Sequence, residues 1–496
     1  MENLYKAADV RELDRVAINE FSIPGITLME RAGVAAFEVL RNRWPDCRKI
    51  LVVCGRGNNA GDGYIVARLA HEAGYTAQVV SLTDLDTLRG DALTAARVAV
   101  NAGVSVVEKL NQELLAQADV VVDGVFGTGL DRPVEGYWHD AIVAINQANR
   151  PVLALDIPSG LNADTGTVMG IAVQASRTVT FIASKQGLYT GQGRGACGVI
   201  HLSALDVPTE TYSRVQSSAR LVHYADIAPS LIQPRKASAH KGLHGHVLVV
   251  GGDEGMSGAL RLAGEAAARS GSGLVSLATR QQHAALLSVS RPELMSHGVE
   301  DHLQLKPLLT KASVIGVGPG LGQGDWGRAM LSTLLDCTQP MVVDADALNI
   351  LAIEPAYKDN WVLTPHPGEA ARLLDSSVQE IEHDRYGAVR ELQRRYGGIV
   401  VLKGAGSLIC YGDSQLIDVC GDGNPGMASG GMGDVLTGVL SSMLGQGYAM
   451  QDAVMLGVCL HSSAADAAAK AGQRGMLASD LFPHLRKLVN QQRQVI

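Results

Sequence analysis

Residues 49–74 read KILVVCGRGNNAGDGYIVARLAHEAG. An apolar run, a polar glycine loop and an amphipathic stretch follow one another, which predicts a strand, a turn and a helix. Similar Val- and Ile-rich runs recur at 77–82, 119–125, 151–157 and 178–182, each bounded by Gly, Asp, Asn or Pro. Helical patterns at 63–73 and 90–103 lie between some of them. Continuous apolar strands alternating with helices imply a parallel sheet covered on both faces. From 206 to 242 the rhythm lapses into a polar stretch with Pro208, Pro229 and Pro234, which reads as a linker. It restarts at 246–250, 273–278, 314–317, 341–344, 361–363, 399–402 and 408–411. The expectation is two α/β domains, residues 1–213 and 214–496, with the boundary near Ser213.

The composition fits this reading. The 496 residues include 42 Lys and Arg against 50 Asp and Glu, a net charge of −8 with His neutral. That balance argues against a nucleic-acid or anionic-membrane surface, which needs clustered basic charge. Aromatics make up only 4%, too few for base-stacking platforms. The 56 glycines exceed the usual ~7% background and point to many tight strand–helix turns or to backbone approaching a ligand. Seven Cys form no CxxC pair, so spacing suggests neither a disulfide framework nor a zinc site. Cys54, Cys410 and Cys459 sit among apolar residues and read as core. The first residues alternate charges, unlike a signal peptide, and the uncharged run 435–451 is too polar to span a bilayer. The expected location is cytoplasmic.

In the first half, the 55–62 loop falls at the carboxyl edge of a parallel sheet, where ligands bind. The following helix N-terminus suits phosphate. GRGNNA also fits GxGxxG/A, a dinucleotide reading in which Asp84 would hold a ribose; a ligand-free tight turn is the simpler alternative. Two more strands run into DGVFGTGLDRP (123–133) and DIPSG (156–160). Asp123, Asp156 and Ser159 can therefore converge on Asn58 and Asn59. Each Asp alone could be a turn cap. Together these oxygens suit a hard cation better than zinc. Lys185, after a further strand, either reaches this edge or is solvated.

In the second half, residues 420–444 read CGDGNPGMASGGMGDVLTGVLSSML. Glycines precede a helix starting near Asp434, leaving backbone N–H groups bare to hold developing phosphoryl charge. Asp434 is placed to take a proton from an attacking hydroxyl, unless it only caps the helix. No GxxxxGK[ST] occurs, which excludes a P-loop. KGAGS (403–407) connects two strands and could line a nucleotide. GVGPGLG (316–322) is a small-residue loop after a strand. His366 precedes a helix with Pro367 at its first position. Ser257, Gly258 and Ala259 open another helix at a strand–helix turn.

These motifs, in this order, resemble the bifunctional NAD(P)H-hydrate repair enzymes over nearly the whole chain. GNNAGDG, DGVFGTG and DIPSGLNADTG resemble the NAD(P)HX epimerase domain. GVGPGLG, DADALN, TPHPGE, KGAGS and GNPGMASGGMGDVLTG resemble the ADP-dependent dehydratase domain. The resemblance implies a Rossmann-like three-layer αβα first domain and a ribokinase-like αβα second domain. It implies that Asn58, Asn59, Ala60, Gly61 and Asp62, with Gly127, Thr128, Gly129, Leu130, Asp131, Arg132 and Pro133, contact the hydrated nucleotide. It implies potassium on Asn59, Asp123 and Ser159. It puts Asp156 at the hydrated ring as the acid/base for epimerisation, with Lys185 as a second candidate. In the second half it implies that Ala259, Gly320, Gly322, His366 and Asp434 contact NADHX or NADPHX. Lys403, Gly404, Ala405, Gly406, Ser407 and Gly433 would contact the adenine nucleotide, Asp434 would be the base, and Mg2+ would accompany ADP. Related proteins form homo-oligomers. Ala60 stands where the family usually has Gly, a change that matters if the position needs positive φ. The competing reading is an ATP-dependent small-metabolite kinase fused to a non-catalytic nucleotide-binding module.

Overall fold

The computed structural model describes residues 1–412 and 414–490. They fall into two compact units, Asn3–Ala219, and the chain from Arg220 onward with Met1–Glu2. The division lies a few residues beyond Ser213.

In the first unit the strands are β1 (Glu2–Tyr5), β2 (Lys49–Cys54), β3 (Thr76–Ser81), β4 (Ser105–Val107), β5 (Val120–Gly124), β6 (Val152–Leu155), β7 (Arg177–Phe181), β8 (Ser184–Lys185) and β9 (Val199–Ser203). The main sheet runs in the order β4-β3-β2-β5-β6-β7-β9, and all its strands are parallel. β1 pairs with β8, setting Tyr5 opposite Lys185. The strand order reverses between β2 and β5, so a crevice opens beyond their carboxyl ends. β2 is buried along its length apart from Lys49 because helices cover both faces of the sheet.

In the second unit the strands are β10 (Ala219–Val222), β11 (His246–Val250), β12 (Leu274–Thr279), β13 (Met295–Gly298), β14 (Val314–Val317), β15 (Met341–Val343), β16 (Trp361–Leu363), β17 (Ile399–Leu402), β18 (Leu408–Tyr411) and β19 (Ile417–Cys420). They run in the order β13-β12-β11-β14-β15-β16-β17-β18-β19-β10. The strands from β13 to β17 are parallel, and β18 and β19 add on antiparallel. The helix Met432–Gly445 packs on Ser257–Arg269 so closely that a Cβ on Gly438 would lie 2.0 Å from the Ala263 carbonyl oxygen. Only glycine permits that approach.

The structure corrects the linker. Residues 206–242 hold β10 and a helix at Tyr224–Leu231. Part of their polar look comes from a charge that is paired in the fold: Arg220 on β10 grips the fully buried Asp418 of β19 through two 2.8 Å hydrogen bonds, and Tyr411 of β18 donates to the same carboxylate at 2.7 Å. Cys54, Cys410 and Cys459 are buried core residues. No helix among the described residues is long and apolar enough to cross a membrane.

Removing the buried acceptor leaves Arg220 and Tyr411 without their common partner. Asp418→Ala should lower the unfolding free energy of the second unit by about 3 kcal/mol in urea titrations. An unchanged midpoint would show that this network does not hold β18, β19 and β10 together.

Candidate active sites

The first unit contains a cleft of about 1270 Å³ at the carboxyl edge of its main sheet. Asn58, Asn59, Asp62, Gly127–Pro133, Asp156 and Lys185 line it. Asn58 to Asp62 form the first turn of the helix Asn58–Glu72. Ala60 and Gly61 are not among the lining residues: Ala60 is buried in the core, and a Cβ on Gly61 would meet the sulfur of Met29, which lines the cleft, at 2.4 Å. Ala60 is helical and is not among the positive-φ residues, so its methyl group is accommodated without strain. Asp84 caps the turn Leu85–Thr87 and does not line the cleft, which removes it as a ribose ligand.

Beneath the cleft, Asn59, Asp123 and Ser159 converge. The Ser159 hydroxyl donates to Asp123 Oδ1 at 2.6 Å, and Ser159 N donates to Asp123 Oδ2 at 2.8 Å. The Phe126 N–H donates to Ser159 Oγ at 2.7 Å, and Asn59 Nδ2 donates to the Phe126 carbonyl at 2.9 Å. Burial pushes Asp123 up to about 6 despite the hydrogen bonds from Ser159 that oppose it. Asn59 Oδ1 is buried with no hydrogen-bond partner among the described residues. An unpartnered buried oxygen beside a buried carboxylate and a hydroxyl fits a hard cation.

Lys185 is not solvated. It is 1% exposed, ion-paired with Asp156 Oδ1, and donates to Thr180 Oγ1 at 3.0 Å and the Phe181 carbonyl at 2.9 Å. Asp156 and Ile182, both on the cleft wall, have φ of 63°. For a β-branched residue that is a genuine outlier, and such strain collects at functional sites. Asp14 and Asp62 also line the cleft, with Asp91, Asp131 and Glu135. Burial raises Asp14 to about 6 and holds Asp62 well above the usual carboxylate range, with the Asp156 charge adding to both. Asp14 escaped the sequence reading. Its signal was a carboxylate in the apolar stripe of the helix Ala7–Asn19, four residues after Val10 and three before Ala17.

In the second unit the strand ends converge on the N-terminus of the helix Met432–Gly445. Its N-cap is Gly431, with φ of 88°, so Asp434 stands in the first turn and is not the cap residue. Lys403, just after β17, turns its ammonium to Asp344 Oδ1 at 2.6 Å and to Glu369 Oε2 at 3.6 Å. Thr437 donates to Asp344 Oδ2 at 3.0 Å. A Cβ on Gly433 would lie 3.2 Å from Asp344 Oδ2 and 3.3 Å from Lys403 Nζ, so the pair forms the floor beneath the helix entrance. Lys403 thus stands among the buried carboxylates, while Gly404–Ser407 forms the hairpin to β18. Burial and the Asp344 charge raise Asp434 to about 7 against the pull of Lys403. Burial likewise lifts Glu369 to about 7.

His366 caps the helix Pro367–Leu374, its Nδ1 accepting from Gly368 N at 2.9 Å. Burial and Lys403 lower its pKa, which favours the neutral ring. Gly320 and Gly322 have φ of 59° and 69°. A Cβ on Gly320 would lie 3.3 Å from that of Ala259, and Gly322 N donates to Asp346 Oδ2 at 2.9 Å. The loop therefore links Ala259 to the 344–346 segment. Sequence reasoning singled out neither Asp344 nor Glu369, although both lie in quoted motifs. It also passed over Ser429, whose buried hydroxyl oxygen lacks a partner among the described residues.

The bifunctional NAD(P)H-hydrate repair enzyme Nnr of Coxiella burnetii is 47% identical to this chain over 491 residues, covering 99% of this chain and 100% of that protein. The chain belongs to the bifunctional NAD(P)H-hydrate repair enzyme family. Residues 25–187 match the YjeF-related protein N-terminus, and residues 247–487 match NAD(P)H-hydrate dehydratase. The Escherichia coli K12 member is 43% identical over 493 residues, covering 98% of this chain and 94% of that protein. A ribokinase-like superfamily protein from Enterococcus faecalis superposes on 55% of this chain and 95% of its own, with a TM-score of 0.51 and 27% identity. Relatives aligned through both halves do not favour a metabolite kinase fused to a non-catalytic module.

The electrostatics of the second site can be checked without turnover. Asp344→Asn removes the neighbouring negative charge that raises Asp434. The Asp434 carboxylate signal, assigned in infrared pH titrations by its loss in Asp434→Asn, should then move to lower pH. A midpoint that stays near 7 would contradict this arrangement.

Proposed function

We propose that the second half dehydrates hydrated NADH and NADPH with ADP, and that the first half interconverts the two epimers of the hydrate. Reduced nicotinamide is an enamine, so water adds at the carbon next to the ring nitrogen and gives a carbinolamine. Hydroxide leaves poorly from that carbon. Asp434 takes the hydroxyl proton, and the oxygen attacks the terminal phosphoryl of ADP, breaking its bond to AMP. The new phosphate ester leaves as the neighbouring ring carbon loses a proton, and NADH or NADPH is regenerated with AMP and phosphate. The amides of the first helical turn and the Lys403 ammonium stabilise the transferred charge. Mg2+ on the nucleotide would neutralise phosphate charge. Gly404–Ser407 would carry the nucleotide, and Ala259, Gly320, Gly322 and His366 the hydrate.

The observation that carries this reading is Asp434, held near 7 above the Lys403–Asp344 floor. A base works best when its pKa lies near the working pH. In the first half, Asn58, Asp62 and the 127–133 loop would hold the hydrated nucleotide, with Asp156 at its ring. Potassium held by Asn59, Asp123 and Ser159 would balance the buried Asp123 charge and order the loop above.

Asp434→Asn should lower the dehydration rate by about 10²–10⁴-fold and spare epimerisation. Equal dehydration rates would remove Asp434 as the base. Because the ionised form acts, the wild-type rate should rise with pH through about 7 and then level. Potassium should raise the melting temperature over tetramethylammonium at equal ionic strength, and Asn59→Ala should abolish the difference. A difference that survives this substitution would place the ion elsewhere.

A further inference from the structure

The epimerase half, read as above, requires a proton donor. A carbinolamine epimerises when its hydroxyl leaves as water and water returns to the other face. Asp156 is poorly arranged to supply that proton. Its Oδ1 is engaged by the Lys185 ammonium and by the Phe181 N–H at 3.3 Å. Oδ2 makes no hydrogen bond among the described residues, and Asp156 lines the cleft, where its negative charge suits a ring that becomes cationic when the hydroxyl departs.

We propose that Asp14 is the proton donor of the epimerase, acting across the cleft from the Asp156–Lys185 pair. The helix Ala7–Asn19 buries Val10, Leu13 and Ala17, and Asp14 lies on the same face as Val10 and Ala17. Its carboxyl is thereby carried to the cleft wall, where Asp62, Asp156 and Lys185 also stand. The pairing of β1 with β8 sets the start of this helix, because Tyr5 lies opposite Lys185 only two residues before Ala7. The Ala7 N–H is tied to Asp164 Oδ1 at 2.7 Å. The helix is thus fixed to the segment that carries Lys185.

The step balances. The Asp14 carboxyl proton passes to the ring hydroxyl, the C–O bond breaks, and water departs. The ring nitrogen lone pair forms a C=N bond, giving an iminium that faces the Asp156 carboxylate. A water molecule then adds to the opposite face, the C=N pair returns to nitrogen, and the released proton restores Asp14. No oxidant, reductant or nucleotide is consumed. Asp62 also lines the cleft, as do Asp91, Asp131 and Glu135. Asp62 lies deeper, and burial and the Asp156 charge hold it well above the usual carboxylate range, whereas Asp14, raised by burial to about 6, can both give and regain a proton near neutrality. The charges acting on Asp14 are Lys185 and Asp156, and the cleft is also lined by Arg11 and Arg15 of its own helix, Asp62 of the helix Asn58–Glu72, Asp91 of the helix Gly90–Asn101, and Arg56, Asp131, Arg132 and Glu135.

The test uses the full chain and the purified R epimer of NADHX, with ADP and Mg2+ present so that the second half converts each S molecule to NADH. The proposal rests on the reading of the first half as the epimerase. Asp14→Asn should slow enzyme-dependent consumption of the R epimer at least ~100-fold, while the S epimer is dehydrated at the wild-type rate, which shows that the coupling second unit is intact, and an unchanged first-unit melting transition shows that the substituted unit is folded. Asp14→Ala should regain R-epimer turnover when formate is added, a rescue that a merely structural carboxyl would not show. The wild-type epimerisation rate should fall as pH rises through about 6, and Asp14→Asn should lose that dependence. R-epimer consumption within a few-fold of wild type in Asp14→Asn would overturn Asp14 as donor and leave the epimerase reading standing. A wild-type chain that consumes the S epimer and never the R epimer would overturn both.

Discussion

One lysine among three carboxylates is the constraint on which both sites depend. In the first unit Lys185 pairs with Asp156, and Asp14 and Asp62 share the same cleft. In the second, Lys403 pairs with Asp344, and Glu369 and Asp434 stand around it. A single ammonium can offset one buried carboxylate well, and an unpaired buried charge is strongly unfavourable. The remaining carboxylates are therefore raised: Asp14 to about 6, Asp434 and Glu369 to about 7, and Asp62 well above the usual range. Burial, with each lysine already paired to another carboxylate, thus produces groups that exchange protons near neutral pH, the property acid–base chemistry needs.

Parallel sheets bring these groups together. Strand ends on one edge deliver Asp123, Asp156 and Lys185 in the first unit, and Asp344, His366 and Lys403 in the second. Backbone that approaches closely does the rest. Gly431 turns the chain into its helix through positive φ, and Gly433 leaves its Cβ position open above the Lys403–Asp344 pair. Strain marks the same places, at Asp156 and Ile182 in one unit and at Ala345, beside Asp344, in the other.

Central strands were legible in the sequence because burial on both faces demands unbroken apolar runs. β2, β11, β14, β16, β17 and β18 match the runs read from the chain. Edge strands such as β9 (VIHLS) and β13 (MSHG) were not, since one side needs no apolar cover. β10 was hidden for a related reason: its Arg220 looks like a solvent residue until Asp418 is seen beneath it. Among site residues, those in glycine-rich motifs were legible because few other roles suit such backbone. Asp14, far from any motif, was not, and the placement of Lys185 against Asp156 depends on a fold that no local pattern encodes. Lys403 was read as part of a nucleotide loop, and the tertiary arrangement adds that its ammonium pairs with Asp344.

The most direct test of the account is to mix the purified full chain with chemically prepared NADHX as both epimers, Mg2+, and either ADP or ATP, and to follow the absorbance of regenerated NADH. The account predicts regeneration that depends on ADP, releases AMP and phosphate, and continues until both epimers are consumed. No regeneration with either nucleotide would contradict it.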